Sequence, residues 1–375
     1  MRVTIARDEL LTALQRVQGV VEKRNTMPSL ANLLLEAKTE GLDILATDLE
    51  LGMRGLYKAK VEETGAVTFS ARKLYEILKE IKEPKVSLAV TDHSLVTIRA
   101  GRSQFKVVGL PSKDFPPLPA IEREGLIPLP GTSLLQLIRK TLFAVGDNDT
   151  RYVLNGLLIA LFTEGGKPAI RLVGTDGHRL ATADQELEVK KGATFPKDTK
   201  VIVPKKAAQE IRRLLEEGGD EPMIGFTKNM LIFRKSGLVL TSRLMEGNYP
   251  NYQQVIPKES SQKVTVNREE FEGALRRVSV LSRDKTYAVK LTFAPDHITL
   301  FSSHPDMGEA VEEVQAKFNG KEFAAGFNAR YLLEVLTVMD GDSIELQMEA
   351  ALSPCLLKET ENKKLFKAVV MPVKV

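Results

Sequence analysis

The stretch KVTVNREEFEGALRRVSVL, Lys263 to Leu281, holds one complete strand–turn–helix unit. Val264 and Val266 alternate as in a short half-buried strand. Asn267, with Glu270 three residues on, forms a helix N-cap pair. Phe271, Ala274, Leu275 and Val278 then fall at i, i+3, i+4 and i+7, one apolar stripe that predicts a helix lying on a core. Arg276 and Arg277 point away from that stripe. The template fits again on Arg2 to Val17, where the stripe is Leu10, Ala13, Leu14 and Val17, and on Leu126 to Thr141, where it is Leu134, Leu137, Ile138 and Thr141. The polar-side pairs are Gln15–Arg16, Arg139–Lys140 and Arg276–Arg277, so one position is basic in every copy.

A second strand-to-helix unit also occurs three times: VTFSARKLYEILKEI at 67–81, VIVPKKAAQEIRRLL at 201–215 and AAGFNARYLLEVLTV at 324–338. Aligning Ala71, Lys205 and Ala329 also aligns Arg72, Lys206 and Arg330, and then Glu76, Glu210 and Glu334. The shifts between copies scatter about one third of the 375 residues. Solenoid repeats run ~20–50 residues, so a period this long means three similar domains. Proline punctuation sets their limits. Pro116, Pro117 and Pro119 place a boundary near 120, because proline cannot donate to a sheet ladder. EGNYPNYQQVIP (246–257) places another near 258. The domains are then 1–120, 121–258 and 259–375. Each reads as two helices with seven or eight strands, an α+β arrangement with helices on one side of antiparallel sheets.

The order within each domain follows from local signals. MPSLANLLLEAK and GLDILATDLELGMRG read as strands turning near Thr39–Gly41, and residues 85–110 as three strands turning near Asp92–His93 and Gly101. In the second domain a hairpin turns at Gly165–Gly166, a helix spans 205–217 with Gly218–Gly219 as its C-terminal cap, and strands fill 222–243.

Composition narrows the function classes. Hydrophobic content of 43% with 27% charged residues is that of an ordinary soluble globular protein. Fifty-three Lys and Arg against 49 Asp and Glu leave a net charge of only +4, so affinity for a polyanion has to come from where the cations sit. One cysteine, Cys355, excludes an internal disulfide and a cysteine metal cluster. No charged-then-apolar leader and no apolar run near ~18 residues is present, which fits a complete cytoplasmic chain away from membranes. No Walker loop, nucleophile elbow, CxxC or HExxH occurs. Asp147-Asn148-Asp149 and Asp340-Gly341-Asp342 lack calcium-loop spacing and read as turns.

Two features ask for more than folding. Arg72, Lys206 and Arg330 stand in the first turn of their helices, where the macrodipole disfavours a cation by roughly 0.3–1 kcal/mol. Ion pairs to Glu76, Glu210 and Glu334 are one reading; a neighbouring polyanion is the other. With Arg16, Lys140 and Arg277 added, each domain offers cations at equivalent positions, a pattern that meets phosphates without reading bases. Few aromatics accompany them, which favours duplex over single strands. The second feature is GTDGHRLA, Gly174 to Ala181. ATDLELG in the first domain makes Thr175–Asp176 a shared turn, whereas Gly177-His178-Arg179-Leu180 is particular to the second. A hydrolase with His178 as base beside Asp176 is one reading. A binding crevice at a domain boundary is the other.

Taken together, the threefold repeat, ATDLE at 46–50, GRSQF at 101–105, RYVLNG at 151–156, TDGHRLA at 175–181, VIVPKK at 201–206, GFNARYLLEVL at 326–336 and the ending VVMPVK resemble the bacterial replicative sliding clamps, the β-subunit family of DNA polymerase III. The resemblance runs the whole length. It implies a homodimeric head-to-tail ring with helices lining a hole around duplex DNA, no catalytic activity and no cofactor or metal. It also implies three kinds of partner: the polymerase III catalytic subunit, an ATP-driven clamp loader and other proteins carrying a clamp-binding motif. Such partners place a short hydrophobic peptide between the second and third domains. The matching positions are Leu154, Thr175, Gly177, His178, Arg179, Leu180, Pro250, Gln254, Val255, Val370, Met371, Pro372 and Val373, with Asn328 and Tyr331 nearby. Gln254 stands where well-known members carry arginine, and Val373-Lys374-Val375 where Met-Arg-Leu is common. The implied DNA contacts include Arg24 and Asn148, the latter in place of a glutamine, beside Arg72, Lys140, Lys206, Arg277 and Arg330. Val153 replaces an aromatic. Phe105, Val280 and Leu281 match positions at the subunit joint. A sequence-specific DNA-binding protein is the alternative of a different class, and it predicts preference among sequences on linear DNA.

Overall fold

A computed structural model describes residues 1–21, 28–91, 94–117, 125–188, 198–258, 260, 262–282, 286–361 and 366–374. The expected turn at Asp92–His93, the expected boundary near 120, Arg24 and Val375 lie outside the described residues.

Six α-helices form among the described residues, two per repeat: α1 (Arg7–Val17), α2 (Ala71–Glu80), α3 (Gly131–Leu142), α4 (Lys205–Glu216), α5 (Arg268–Val278) and α6 (Ala329–Val338). The apolar stripes hold as read. Phe271, Ala274, Leu275 and Val278 of α5 are buried, as are Leu10, Ala13, Leu14 and Val17 of α1 and Leu134, Leu137, Ile138 and Thr141 of α3. Asn267 caps α5, its Oδ1 accepting from the Glu270 N–H at 3.0 Å. Ser70 and Asn328 cap α2 and α6 in the same way. Each such cap contributes ~1 kcal/mol.

The chain forms two compact units, one of Met1–Gly131 with Gln209–Leu244, the other of Thr132–Ala208 with Met245–Val375. The middle third of the sequence is thus divided between them. In the first unit α1 and α2 pack on each other and on antiparallel strands. One five-stranded sheet there ends at the edge strand Ser103–Val108, and a nine-stranded sheet joins Leu51–Tyr57 to Leu238–Arg243. In the second unit α5 and α6 pack together over a twelve-stranded sheet, in which Arg179–Glu186 pairs antiparallel with Phe366–Val370.

Strand number departs from expectation in the first repeat, which carries ten strands where the other two carry eight. The third repeat uses one long strand, Gly308–Phe318, whose first part pairs with His297–His304 and whose end pairs with Val264–Val266. In the first repeat the same path is split into Leu51–Tyr57 and Ala59–Glu63. The short strand Leu110–Pro111 adds the other. The stretch 41–55 likewise breaks in two at Asp48–Glu50, where Leu49 takes φ +79°.

Cys355 lies fully buried in a central strand, and burial pushes its thiol up to about 12. A thiol is nucleophilic only as thiolate. Cys355 is therefore expected to resist a thiol reagent at pH 8 in the folded chain and to react at once in denaturant; rapid modification of the native protein would contradict its placement. Among the described residues no helix is long and apolar enough to cross a membrane.

Candidate peptide slot and charged helix faces

The TD turn builds both its copies the same way. Thr47 Oγ1 accepts from the Leu49 N–H, and Asp48 Oδ1 from the Glu50 and Leu51 N–H groups. In the second repeat Thr175 Oγ1 accepts from Gly177, and Asp176 Oδ1 from His178 and Arg179, each at 2.9–3.1 Å. Leu49 and Gly177 both sit at positive φ, near +80°. A glycine suits this position, because a Cβ at Gly177 would press on the Arg151 guanidinium. Gly174 matters for space instead: a Cβ there would lie 2.3 Å from the Thr141 carbonyl of α3.

What hangs from the second turn differs. Arg179 is only 10% exposed, and its side chain meets four residues. Its Nε donates to Asp176 Oδ2 at 3.1 Å and its Nη2 to the Phe143 carbonyl at 2.7 Å, while Nη1 reaches Glu334 of α6. The guanidinium also lies over the rings of Tyr331, at 4.5 Å, and Phe143. Burial lowers its pKa, yet arginine stays charged at neutral pH. The neighbouring His178 ring stacks on Tyr331 at 6.4 Å. Beyond it, the Met371 N–H donates to the His178 carbonyl and the Val373 N–H to the Gly326 carbonyl. Third-repeat residues are thereby tied to a second-repeat turn. His178, Asn328, Tyr331 and Val373 line one groove of about 710 Å³.

An apolar floor lies alongside. Leu158, Val173, Leu180, Ile202, Met245, Leu356 and Val369 form one cluster, on which the half-buried Val153, Tyr249, Tyr252 and Ile256 pack. Tyr249 anchors itself by donating its hydroxyl to the Val173 carbonyl at 3.2 Å, and burial raises its pKa. A cavity of about 520 Å³ opens over Leu158 and Ile202 under a rim of residues 247–253 that includes Pro250. Gln254 and Val255 are exposed beside it, Val255 at 42%.

Sheet register alters one of the sequence assignments. Side chains alternate across a strand. Val369 opposes Leu180 and Leu356 and shares their face, so Val369 lines the floor. Val370 opposes Arg179 and Cys355, faces the other way and is fully buried. Leu154 is buried at 3% in a 3-10 turn, with the neighbouring Val153 in contact with the cluster. Thr175 is buried in the turn itself; Met371 and Pro372 are half-buried. Leu158, Ile202, Met245, Tyr249 and Tyr252 had no signal in the sequence that marked them for a site. The continuous apolar run 156–162 holds Leu158, and the Tyr-Pro-x-Tyr run holds both tyrosines, but these read only as strand and linker.

Asp176 is not placed to orient His178 as a base. Both oxygens of Asp176 are spent on the turn and on Arg179, and the His178 ring faces Tyr331. Among the described residues no three His, Cys, Asp or Glu side chains gather where a metal ion would sit.

The cations separate into two sets. The position basic in every copy meets a carboxylate each time: Arg16 binds Glu217, Lys140 binds Asp340 and Glu359, and Arg277 binds Glu312. Lys140 is 14% exposed and sits over the Phe366 ring, so its charge is largely committed within the fold. At the helix N-termini, Arg72 pairs with Glu76 at 2.8 Å and Arg330 with Glu334 at 3.1 Å, as the ion-pair reading predicts. Glu210 pairs with Arg213. Lys206 is half-buried in the first turn of α4, and Asn148 is exposed at φ +55°. Arg72, Arg277 and Arg330 remain 65–80% exposed despite their partners. Exposed pairs contribute ~0–1 kcal/mol, little enough for a phosphate to displace.

Comparison with known proteins gives a consistent result. Residues 1–119 match the N-terminal domain of the DNA polymerase III beta subunit, 128–251 its central domain and 253–374 its C-terminal domain. The beta sliding clamp of Caulobacter vibrioides is 38% identical over 377 residues, covering all of both chains. A crystal structure of the DNA polymerase sliding clamp from Caulobacter crescentus superposes with a TM-score of 0.92 at 38% identity over all of both chains. A sliding clamp from Bartonella birtlesii bound to griselimycin gives 0.93 at 34%, again over all of both chains.

Proposed function

The chain belongs to the DNA polymerase III β-subunit family, the bacterial sliding clamps, and from this we propose that two copies close head to tail around duplex DNA and tether a polymerase to it. The observation that carries the ring is a rule the strands already follow. Leu51–Tyr57 of the first repeat pairs with Leu238–Arg243 of the second, and Arg179–Glu186 of the second with Phe366–Val370 of the third. By the same rule residues 308–315 of the third repeat seek a strand equivalent to Ser103–Val108 of the first. Among the described residues both edges lack that neighbour. A second copy supplies it, and the contact is then heterologous and closes as a ring. Exposed apolar side chains cluster at these edges: Phe105 and Val108 on one, Val280 and Val311 by the other, with Leu281 half-buried beneath. Unpaired edges of this kind are otherwise an aggregation hazard.

On this reading the three domains are 1–120, 121–258 and 259–375. Arg72, Arg277 and Arg330, with Lys206, Asn148 and Arg24, meet phosphates without reading bases, and Lys140 supports the sheet. The protein performs no catalytic step, works in the cytoplasm on chromosomal DNA and is opened by an ATP-driven loader. Partner peptides occupy the floor around Leu180 and Val369 and the groove at His178 and Tyr331, the apolar slot with few polar groups that peptide capture requires. Fluorescence anisotropy with a labelled Gln-Leu-Ser-Leu-Phe peptide tests this. Saturable binding to the intact chain is expected, with at least a tenfold loss on removing Met371–Val375, since that segment ties His178 and Gly326 together. Equal binding to both chains contradicts the slot.

A further inference from the structure

We propose that the slot continues along the same sheet face into a cation-lined subsite that takes an acidic side chain of the partner peptide. The inference rests on the peptide-slot reading above and names a preference within it. Register places the subsite. Val173 opposes Thr182, Thr182 opposes Lys367, and Arg171 opposes Asp184. These residues therefore share the face of Leu158, Leu180, Val369 and Leu356, with Lys367 two positions along from Val369. Two strand residues span roughly 7 Å. The polar patch begins that far from the apolar floor.

A separate cavity of about 270 Å³ lies there, walled by Arg171, Asp184, Lys258 and Lys367 and shared with the slot through Tyr252 and Gln253. Three cations face one carboxylate, and that carboxylate is already taken. Asp184 accepts from Arg171 Nε at 2.7 Å and is bound by its Nη2 as well, and the same guanidinium is stacked on the Phe162 ring. Among the described residues neither Lys258 nor Lys367 has a carboxylate partner. The patch thus keeps two uncommitted ammonium groups, a half-enclosed setting and a continuous path from the slot. A carboxylate on an extended peptide arrives there about two to three residues from the side chain that fills the floor. A neutral or basic residue gains nothing at the same place.

The test compares labelled Gln-Leu-Ser-Leu-Phe peptides flanked by Ala-Ala on both sides, by Glu-Glu on the N-terminal side only, or by Glu-Glu on the C-terminal side only. Anisotropy is measured against the full chain and against Lys258→Ala, Lys367→Ala and the double variant. Glutamate on one flank, and not the other, is expected to tighten Kd roughly three- to tenfold. The gain shrinks in each single variant and vanishes in the double, while the Ala-flanked peptide binds all four proteins alike. That constancy also shows that the variants are folded. Equal gains on both flanks, no gain on either, or a gain that survives in the double variant overturns the subsite. Failure of the Ala-flanked peptide to bind the unaltered chain overturns the slot reading itself, and the subsite with it.

Discussion

Replacing Arg179 by alanine is expected to destabilise the second structural unit by about 3 kcal/mol and to abolish peptide capture. Breaking a buried ion pair by removing one partner costs ~3–5 kcal/mol, because the remaining charges stay desolvated. The low end applies here, since Glu334 keeps Arg330 as a partner. Asp176 keeps its turn N–H groups but loses the Nε donor, and the Phe143 carbonyl loses its donor too. The cation over Tyr331 goes as well, and with it the support behind the ring on which His178 stacks. Urea denaturation followed by circular dichroism reads the stability, and anisotropy the capture. Arg179→Lys is expected to recover part of the stability but not the forked geometry, because lysine offers a point charge. An alanine variant as stable as the parent would show that the four contacts are incidental.

Phe105→Asp and Val280→Asp should each convert a two-chain particle into single chains. Phe105 lies on the edge strand Ser103–Val108, opposite Ile98 on its one paired side. A carboxylate placed there would be buried without a partner once the edges join, a cost of several kcal/mol against a joint made of one strand pair and a few apolar side chains. Size-exclusion chromatography with light scattering is expected to give twice the chain mass for the parent at micromolar concentration and the chain mass for either variant. Thermal midpoints should stay close to the parent, since Val280 is 73% exposed and Phe105 is partly exposed in the single chain. A variant that remains two-chain would move the joint elsewhere.

Helices were legible in the sequence because each stripe is local. Phe271 through Val278 needs only a 3.6-residue period and an Asn267 cap to announce itself, and both appear as read. The TD turn was legible for the same reason, its hydrogen bonds closing within four residues. Assignments that depend on pairing were not. Whether Val369 or Val370 faces the floor depends on which residue opposes Leu180, a partner nearly two hundred positions away. Lys140 stood among the free cations in the sequence because Asp340 and Glu359, which hold it, belong to the third repeat. The break at Lys58 that gives the first repeat its extra strand has no local marker at all. In each case the deciding contact is nonlocal, and periodicity carries no information about it.

Retention on DNA of defined topology tests the encircling ring most directly. The protein, labelled and loaded onto a nicked circular plasmid by the ATP-driven loader that the proposed function calls for, is separated from free chains by gel filtration before and after one restriction cut. The ring account predicts that the label stays with the circle through filtration in moderate salt and is lost within minutes of linearisation, irrespective of plasmid sequence. Label that remains on the linear duplex, or that follows sequence rather than topology, would contradict it.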